Sequence, residues 1–295
     1  MQTVIPHLWF NRNAAEAATF YSRLIPGSSF QAPEVIRDTP SGDVELFQVT
    51  LGGLGFQFLS AGPEFPFTPT VSFRIDCDTS AEVDRVVAEL GEGGSFLMPL
   101  GPYPFSGRYA WVADRYGVNW QVMLSDVHPR AAGRPRITPT LMFVGPQAGH
   151  AEEAVKHWAA LSSGSLVGEV DRYHDGEEPD RPGTVRQVGF RLGDVDFAAM
   201  DSAHDHRFTF TEAISLMVLT ADQAETDRYW SALSADPYAE ACGWLKDRWG
   251  VSWQIVPRRL GELMVVGGAQ AQRVTKAFLK MKKLVIAELE AAARG

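Results

Sequence analysis

Cysteine is scarce. Cys77 and Cys242 are the chain's two, and neither has a CxxC neighbour. That excludes a disulfide framework and a zinc ribbon and fits a reducing compartment. No run of about 18 apolar residues could span a bilayer as a helix. The opening Met1-Gln-Thr-Val-Ile-Pro-His7 lacks the basic and apolar regions of a signal peptide. The expectation is a cytoplasmic protein with no membrane partner. Basic residues are also short, 27 Lys and Arg against 36 Asp and Glu for a net charge of −9. A surface for nucleic-acid phosphates is therefore not expected, and the expected partner is a small-molecule ligand.

What is present is a repetition. Trp244-Leu-Lys-Asp-Arg-Trp-Gly-Val-Ser-Trp-Gln-Ile-Val256 restates Trp111-Val-Ala-Asp-Arg-Tyr-Gly-Val-Asn-Trp-Gln-Val-Met123. Asp114 and Asp247, Gly117 and Gly250, Trp120 and Trp253, and Gln121 and Gln254 are each 133 positions apart. Each copy reads as strand, tight turn, strand, with the Gly supplying the positive φ of the reversal. Alternation in the second strand puts Gln121 opposite Trp120, and Gln254 opposite Trp253.

Up to and including the first copy the pattern reads β-α-β-β-β twice. A strand at 3–10, which Pro6 allows at a sheet edge, leads to a helix that Asn13 can cap. Strands near 29–37, 44–52 and 55–60 follow. A strand at 70–77, a helix at 81–90 and strands at 96–100, 107–113 and 117–124 repeat the order. The arrangement then recurs, Phe65–Ser72 being echoed by Phe208–Ser215 and Glu82-Val-Asp-Arg85 by Glu225-Thr-Asp-Arg228. The reading is α+β: a first unit at 1–127, a polar two-proline linker at 128–136 and a second unit at 137–260. Residues 268–295 read as one amphipathic helix of about six turns, with Val274, Phe278, Met281, Leu284, Val285 and Leu289 on its apolar stripe. It is expected to pack on its own domain, a homodimer contact being the alternative.

The motif PxLxF opening each unit, FYSRLIPGSSF at 20–30 and CGWLKDRWGVSWQIVP at 242–257 resemble the vicinal-oxygen-chelate superfamily of glyoxalases, bleomycin-resistance proteins and dioxygenases. More narrowly they resemble its PhnB-like branch, labelled 3-demethylubiquinone-9 3-methyltransferase. The resemblance implies that the paired βαβββ modules of each tandem unit form a cupped eight-stranded mixed sheet. It implies metal ligands from the first, fifth and eighth strands of a unit, which match His7, Thr70 and Gln121 in the first and Thr140, Ala213 and Gln254 in the second. His7 and Gln121 are the plausible ligands for a divalent metal, and Gln brings no charge to balance the ion. Gln57 could join them, but its register is open by one residue, which would flip its face. The methyltransferase label is not adopted. The glycine-rich pieces Leu51-Gly-Gly-Leu-Gly55 and Gly91-Glu-Gly-Gly94 read as a hairpin and a helix exit, not as the strand–turn–helix of an adenosylmethionine site.

Of the other histidines, His204 and His206 read as a solvated loop, His174 as a hairpin tip and His157 as a packed, hydrogen-bonded helix residue. Trp9, Phe47, Phe56, Phe58, Phe73, Trp111 and Trp120 are many rings for one unit. Most should fill the core, with some facing the cup. The expected function is small-molecule binding at His7, Trp9, Gln57, Thr70, Trp111, Gln121 and Gln254, without a complete metal site. The alternatives are a metal-dependent lyase, isomerase or dioxygenase acting on vicinal oxygens, and a purely structural protein.

Overall fold

A computed structural model describes residues 2–125 and 133–295; the expected linker at 128–136 lies partly outside them. The first module is β1 (Val4–Phe10), α1 (Ala14–Leu24), β2 (Ser29–Phe30), β3 (Glu34–Thr39), β4 (Gly42–Leu51) and β5 (Leu54–Ser60). The second is β6 (Val71–Cys77), α2 (Ser80–Gly91), β7 (Ser95–Tyr103), β8 (Ser106–Ala113) and β9 (Asn119–Leu124). The third is β10 (Ile137–Val144), α3 (Ala151–Leu161), β11 (Leu166–Arg172), β12 (Val185–Leu192) and β13 (Val195–Ser202). The fourth is β14 (Ile214–Thr220), α4 (Gln223–Leu233), β15 (Trp244–Lys246) and β16 (Ser252–Pro257).

Two eight-stranded mixed sheets form, but neither is made within one of the tandem units. One, here sheet A, runs β15-β16-β14-β1-β5-β4-β2, with β3 also on β4; sheet B runs β11-β12-β13-β10-β6-β9-β8-β7. The first module thus shares a sheet with the fourth, and the second with the third. This also moves β1 from the expected edge to the centre of sheet A, between β14 and β5. Pro6 is tolerated there because the ladder to β5 starts only at His7.

The backs of both sheets and the helices α1 to α4 share one apolar core. Phe56 of sheet A and Phe73 of sheet B touch across it, ring centroids 5.2 Å apart. The duplicated Asp in each half is a pin through this core. Asp114 accepts from the backbone N–H of Tyr116 and Val118, from Trp120 Nε1 at 2.8 Å and from the Tyr21 hydroxyl of α1 at 2.5 Å. Asp247 accepts from Trp249 and Val251 N–H, Trp253 Nε1 at 2.9 Å and Trp158 Nε1 of α3 at 3.0 Å. Each carboxylate so closes its own turn, where Gly117 and Gly250 stand at φ +88° and +85°, and ties a helix of the preceding module to the sheet. Burial pushes the Asp247 carboxyl up to about 6, against the pull of its N–H donors.

The repeated Glu of the echoed Glu-x-Asp-Arg also has a local task. Glu82 and Glu225 donate their N–H groups to the cap side chains of Thr79 and Asp222, and their carboxylates reach back past the cap to accept from Asp78 N and Ala221 N. Asn13 stands at the N-cap of α1 but makes no side-chain cap bond.

After α5 (Arg258–Val265), the one helix expected over 268–295 is instead two, α6 (Gly268–Phe278) and α7 (Ile286–Arg294). Gly267 and Gly268 take positive φ between the first two. The chain then leaves the helix so that Met281 and Lys282 carbonyls accept from Cys242 and Gly243 N–H. The three helices share a small core of Leu263, Val274, Leu284, Leu289 and Ala293 that takes in Val256 of β16. They pack on β16 near one edge of sheet A and on β3 at the other, so they roof its concave side. No described helix is long and apolar enough to cross a membrane.

Candidate functional site

Strand alternation decides which side chains reach each concave face. In β1, Val4, Leu8 and Phe10 enter the core, which turns His7 and Trp9 into the cup of sheet A. Phe56 and Phe58 flank Gln57 from the core side, settling its register: Gln57 faces the cup. Strand pairing then sets Gln48 beside Gln57, Gln57 beside His7, and His7 beside Ser215, a polar row crossing four strands. Gln254, opposite the buried Trp253, donates from Nε2 to Ser215 Oγ at 2.9 Å. Trp244 closes the row's other side, its ring 5.3 Å from that of His7 and 6.3 Å from that of Trp9, and Trp9 Nε1 donates to Gly62 O.

His7 is the unusual member. It is 3% exposed, its Nδ1 has no hydrogen-bond partner, and burial lowers its pKa to about 3. The imidazole is therefore neutral near pH 7, with one ring nitrogen buried and without a hydrogen-bond partner in a nearly dry setting.

Sheet B repeats the geometry with other residues. Gln121 donates from Nε2 to Ser72 Oγ at 2.8 Å, as Gln254 does to Ser215, and its Oε1 accepts from the Tyr109 hydroxyl at 2.9 Å. Burial pushes the Tyr109 phenol up, so it stays a neutral donor. Thr140 lies beside Ser72 and Ala198, and Trp111 beside Gln121. Around them pack Met98, Met123, Met142, Met200, Tyr103 and Phe208. Thr70, at the entry to β6, has its hydroxyl tied to that of Thr68 at 2.7 Å.

The expected sets are thus redistributed. His7 and Gln121 do not meet, because β1 pairs with β14 and not with β6: His7, Trp9, Gln57 and Gln254 share the cup of sheet A, and Thr70, Trp111, Gln121 and Thr140 belong to sheet B. Ala213 offers only its carbonyl, to Trp9 N–H. Ser72, Ser215, Tyr109 and Trp244 were overlooked, although Trp244 stood in the repeated motif and the two serines at the end of an echoed segment. His204 is exposed, while His206 and Ser202 Oγ are 2.9 Å apart; His157 bonds Ala232 O from α3.

Among the described residues no three of His, Cys, Asp and Glu are grouped as a metal site. One neutral imidazole with amides and a hydroxyl supplies no charge, so the donors of the sheet-A cup do not fit a resident divalent ion. A void of about 10 Å³, room for one water, lies in the core among Val4, Trp158, Leu192 and Trp253, away from both cups.

A family model described as 3-demethylubiquinone-9 3-methyltransferase matches residues 2–123 and again 135–256. No curated protein matches. Among solved structures, a putative 3-demethylubiquinone-9 3-methyltransferase, PhnB protein, from Bacillus cereus is 35% identical over 42% of this chain and 99% of its own, at a TM-score of 0.38. A protein from Pseudomonas aeruginosa is 27% identical over 42% and 98%, at 0.37. Glyoxalase I from Zea mays is 13% identical but is covered over 96% of its length by 89% of this chain at 0.56, which shows a common fold. With the model matching twice and the two cupped sheets in place, the chain belongs to the 3-demethylubiquinone-9 3-methyltransferase family, the PhnB-like branch of the vicinal-oxygen-chelate superfamily.

Proposed function

We propose that this protein binds a small organic molecule in the cup of sheet A and does so without a resident metal. The observation that carries the reading is His7 Nδ1, buried and unpaired on the concave face. A fold rarely leaves such an atom unsatisfied unless something else satisfies it. The ligand that fits is neutral and planar, with a polar edge along His7, Gln57 and Gln254 and an apolar body against Trp9 and Trp244. The glycine-rich segments support leaving the methyltransferase label aside: Gly52 and Gly53 lie in the β4–β5 hairpin, and Gly91 to Gly94 leave α2 for β7.

The test joins elemental analysis of untagged protein, dialysed against trace Ni, Zn, Mn and Fe, to a melting-temperature screen of planar heterocycles. Expected are metal far below one equivalent and a hit that stabilises wild type, by about 2.7 kcal/mol at 100 times its Kd, but not His7→Gln. Near one equivalent of metal, lost in His7→Gln, would overturn the reading in favour of a metal-dependent enzyme acting on adjacent oxygens.

A further inference from the structure

His7 is buried on the concave face of sheet A, so a guest can reach it only if something moves. The helices α5 to α7 roof this side of the sheet, and the two margins of the roof are held differently. At the fourth module it is stitched down. Met281 and Lys282 carbonyls accept from Cys242 and Gly243 N–H, both at 2.7 Å, and Gln223 grips the stretch before α7, donating to Leu284 O and accepting from Ile286 N–H. Lys282 pairs with Glu240, and Lys283 with Asp227. Gly243, at φ +90°, lets Leu284 come so close that a Cβ there would stand 3.2 Å from its Cδ1. At the opposite margin the roof reaches β3 through α6. Among the described residues the side-chain hydrogen bonds of α6 run to α5 and α7 and not to β3: Gln270 to Leu263 O, Arg273 to Ala292 O and Ala293 O, and Thr275 to Met264 Sδ. Two joints bound this helix. Gly267 and Gly268 stand at φ +72° and +58° before it, and a Cβ at either would meet nothing within 4 Å, so the corner is unpacked. After Phe278 the chain leaves the helix for the stitched residues 281 and 282. Ile36 of β3 packs in a small apolar cluster with Leu59 and Trp9, which puts the β3 margin next to a tryptophan of the cup.

We propose that α6 is a lid: it swings off β3 on the glycine corner and on residues 279–281 while the stitched base stays in place, and so opens a way past Trp9 to His7. This rests on the reading of the sheet-A cup as a binding site. Segments that gate a site are drawn from the less firmly held parts of a fold, and here the polar fastening lies along one margin only.

The probe is diethyl pyrocarbonate, which acylates neutral imidazoles and needs no cognate ligand, so its outcome is separate from that of the melting-temperature screen. Its rate at His7 is read by peptide mass spectrometry, with exposed His204 as the internal standard. Val274, fully buried where α6 meets α5 and α7, is the handle. Val274→Ala loosens the docking of the helix without lowering its helix propensity, and it should speed modification of His7 about tenfold. Val87→Ala, the same truncation in the core under α2, lowers global stability instead and should leave that rate within about twofold. Amide hydrogen exchange should quicken in α6 of Val274→Ala while the Cys242 and Gly243 amides keep their protection. The proposal is overturned if Val274→Ala does not raise the rate at His7, if Val87→Ala raises it as much, or if Cys242 and Gly243 lose protection together with α6, which would mean that the whole roof comes away.

Discussion

In the cup of sheet A, His7, Trp9, Gln57 and Leu59 stand where that of sheet B has Thr140, Met142, Ala198 and Met200, since β1 pairs with β5 in the same register as β10 with β13. On the other side of each cup the residues agree: Ser215 with Ser72, Gln254 with Gln121, Trp244 with Trp111. The duplicated chain has kept one wall of its site and changed the other. The kept wall carries a Gln–Ser hydrogen bond and a tryptophan; the changed wall sets the chemistry, polar and imidazole-bearing in one cup, thioether and alanine in the other. Val256 and Met123 differ in the same spirit. Val256 lies under the C-terminal helices, whereas Met123 faces the sheet-B cup.

The largest test of this symmetry is at the parts that should be equal. Asp114→Asn and Asp247→Asn each set an amide N–H₂ against N–H donors, so each should cost about 3 kcal/mol or more in denaturant unfolding. A cost confined to one half would break the equivalence of the two pins. Next comes a pH effect that only sheet A should show. The fold holds His7 neutral down to about pH 3, while the unfolded chain takes up a proton below about 6.5. The folded pKa is depressed, so this contribution is present above pH 6.5 and is lost as pH falls towards 3, by about 2 kcal/mol at pH 5. Stability curves of wild type and His7→Gln should converge by that amount between pH 7 and 5, and parallel curves would refute it. The smallest difference is within the kept wall. Gln121→Ala breaks two hydrogen bonds and Gln254→Ala one, so the former should cost about 1 kcal/mol more; equal losses would show that the Tyr109 contact contributes nothing.

Much of this was legible in the residues. The offset of 133 located the hairpins, and alternation put Gln121 and Gln254 on the face opposite the tryptophans. Of the seven rings singled out in the first unit, Trp9 and Trp111 face cups and the other five are core. The module pairing was not legible. Each repeat carries the same local pattern, so periodicity cannot say whether β1 finds β6 or β14, and that choice separated His7 from Gln121. The register of Gln57 needed the packing of Phe56 and Phe58. The break in the C-terminal helix needed the backbone of Cys242 and Gly243, which takes up residues 281 and 282 and lies far from them in sequence.

The crossed pairing also sets an order of assembly. Sheet B joins neighbours, Ile75 with Ile137, and can close while the chain is still growing. Sheet A joins the ends, Val4 with Val218, and needs β16 as well. On a ribosome the first module must therefore wait for about 200 more residues, roughly 10–40 s at ordinary elongation rates, with the centre of its sheet lacking a neighbour. The N-terminal strand, made first, is among the last to gain its second neighbour, and the sheet-A cup comes into being only when synthesis is nearly complete.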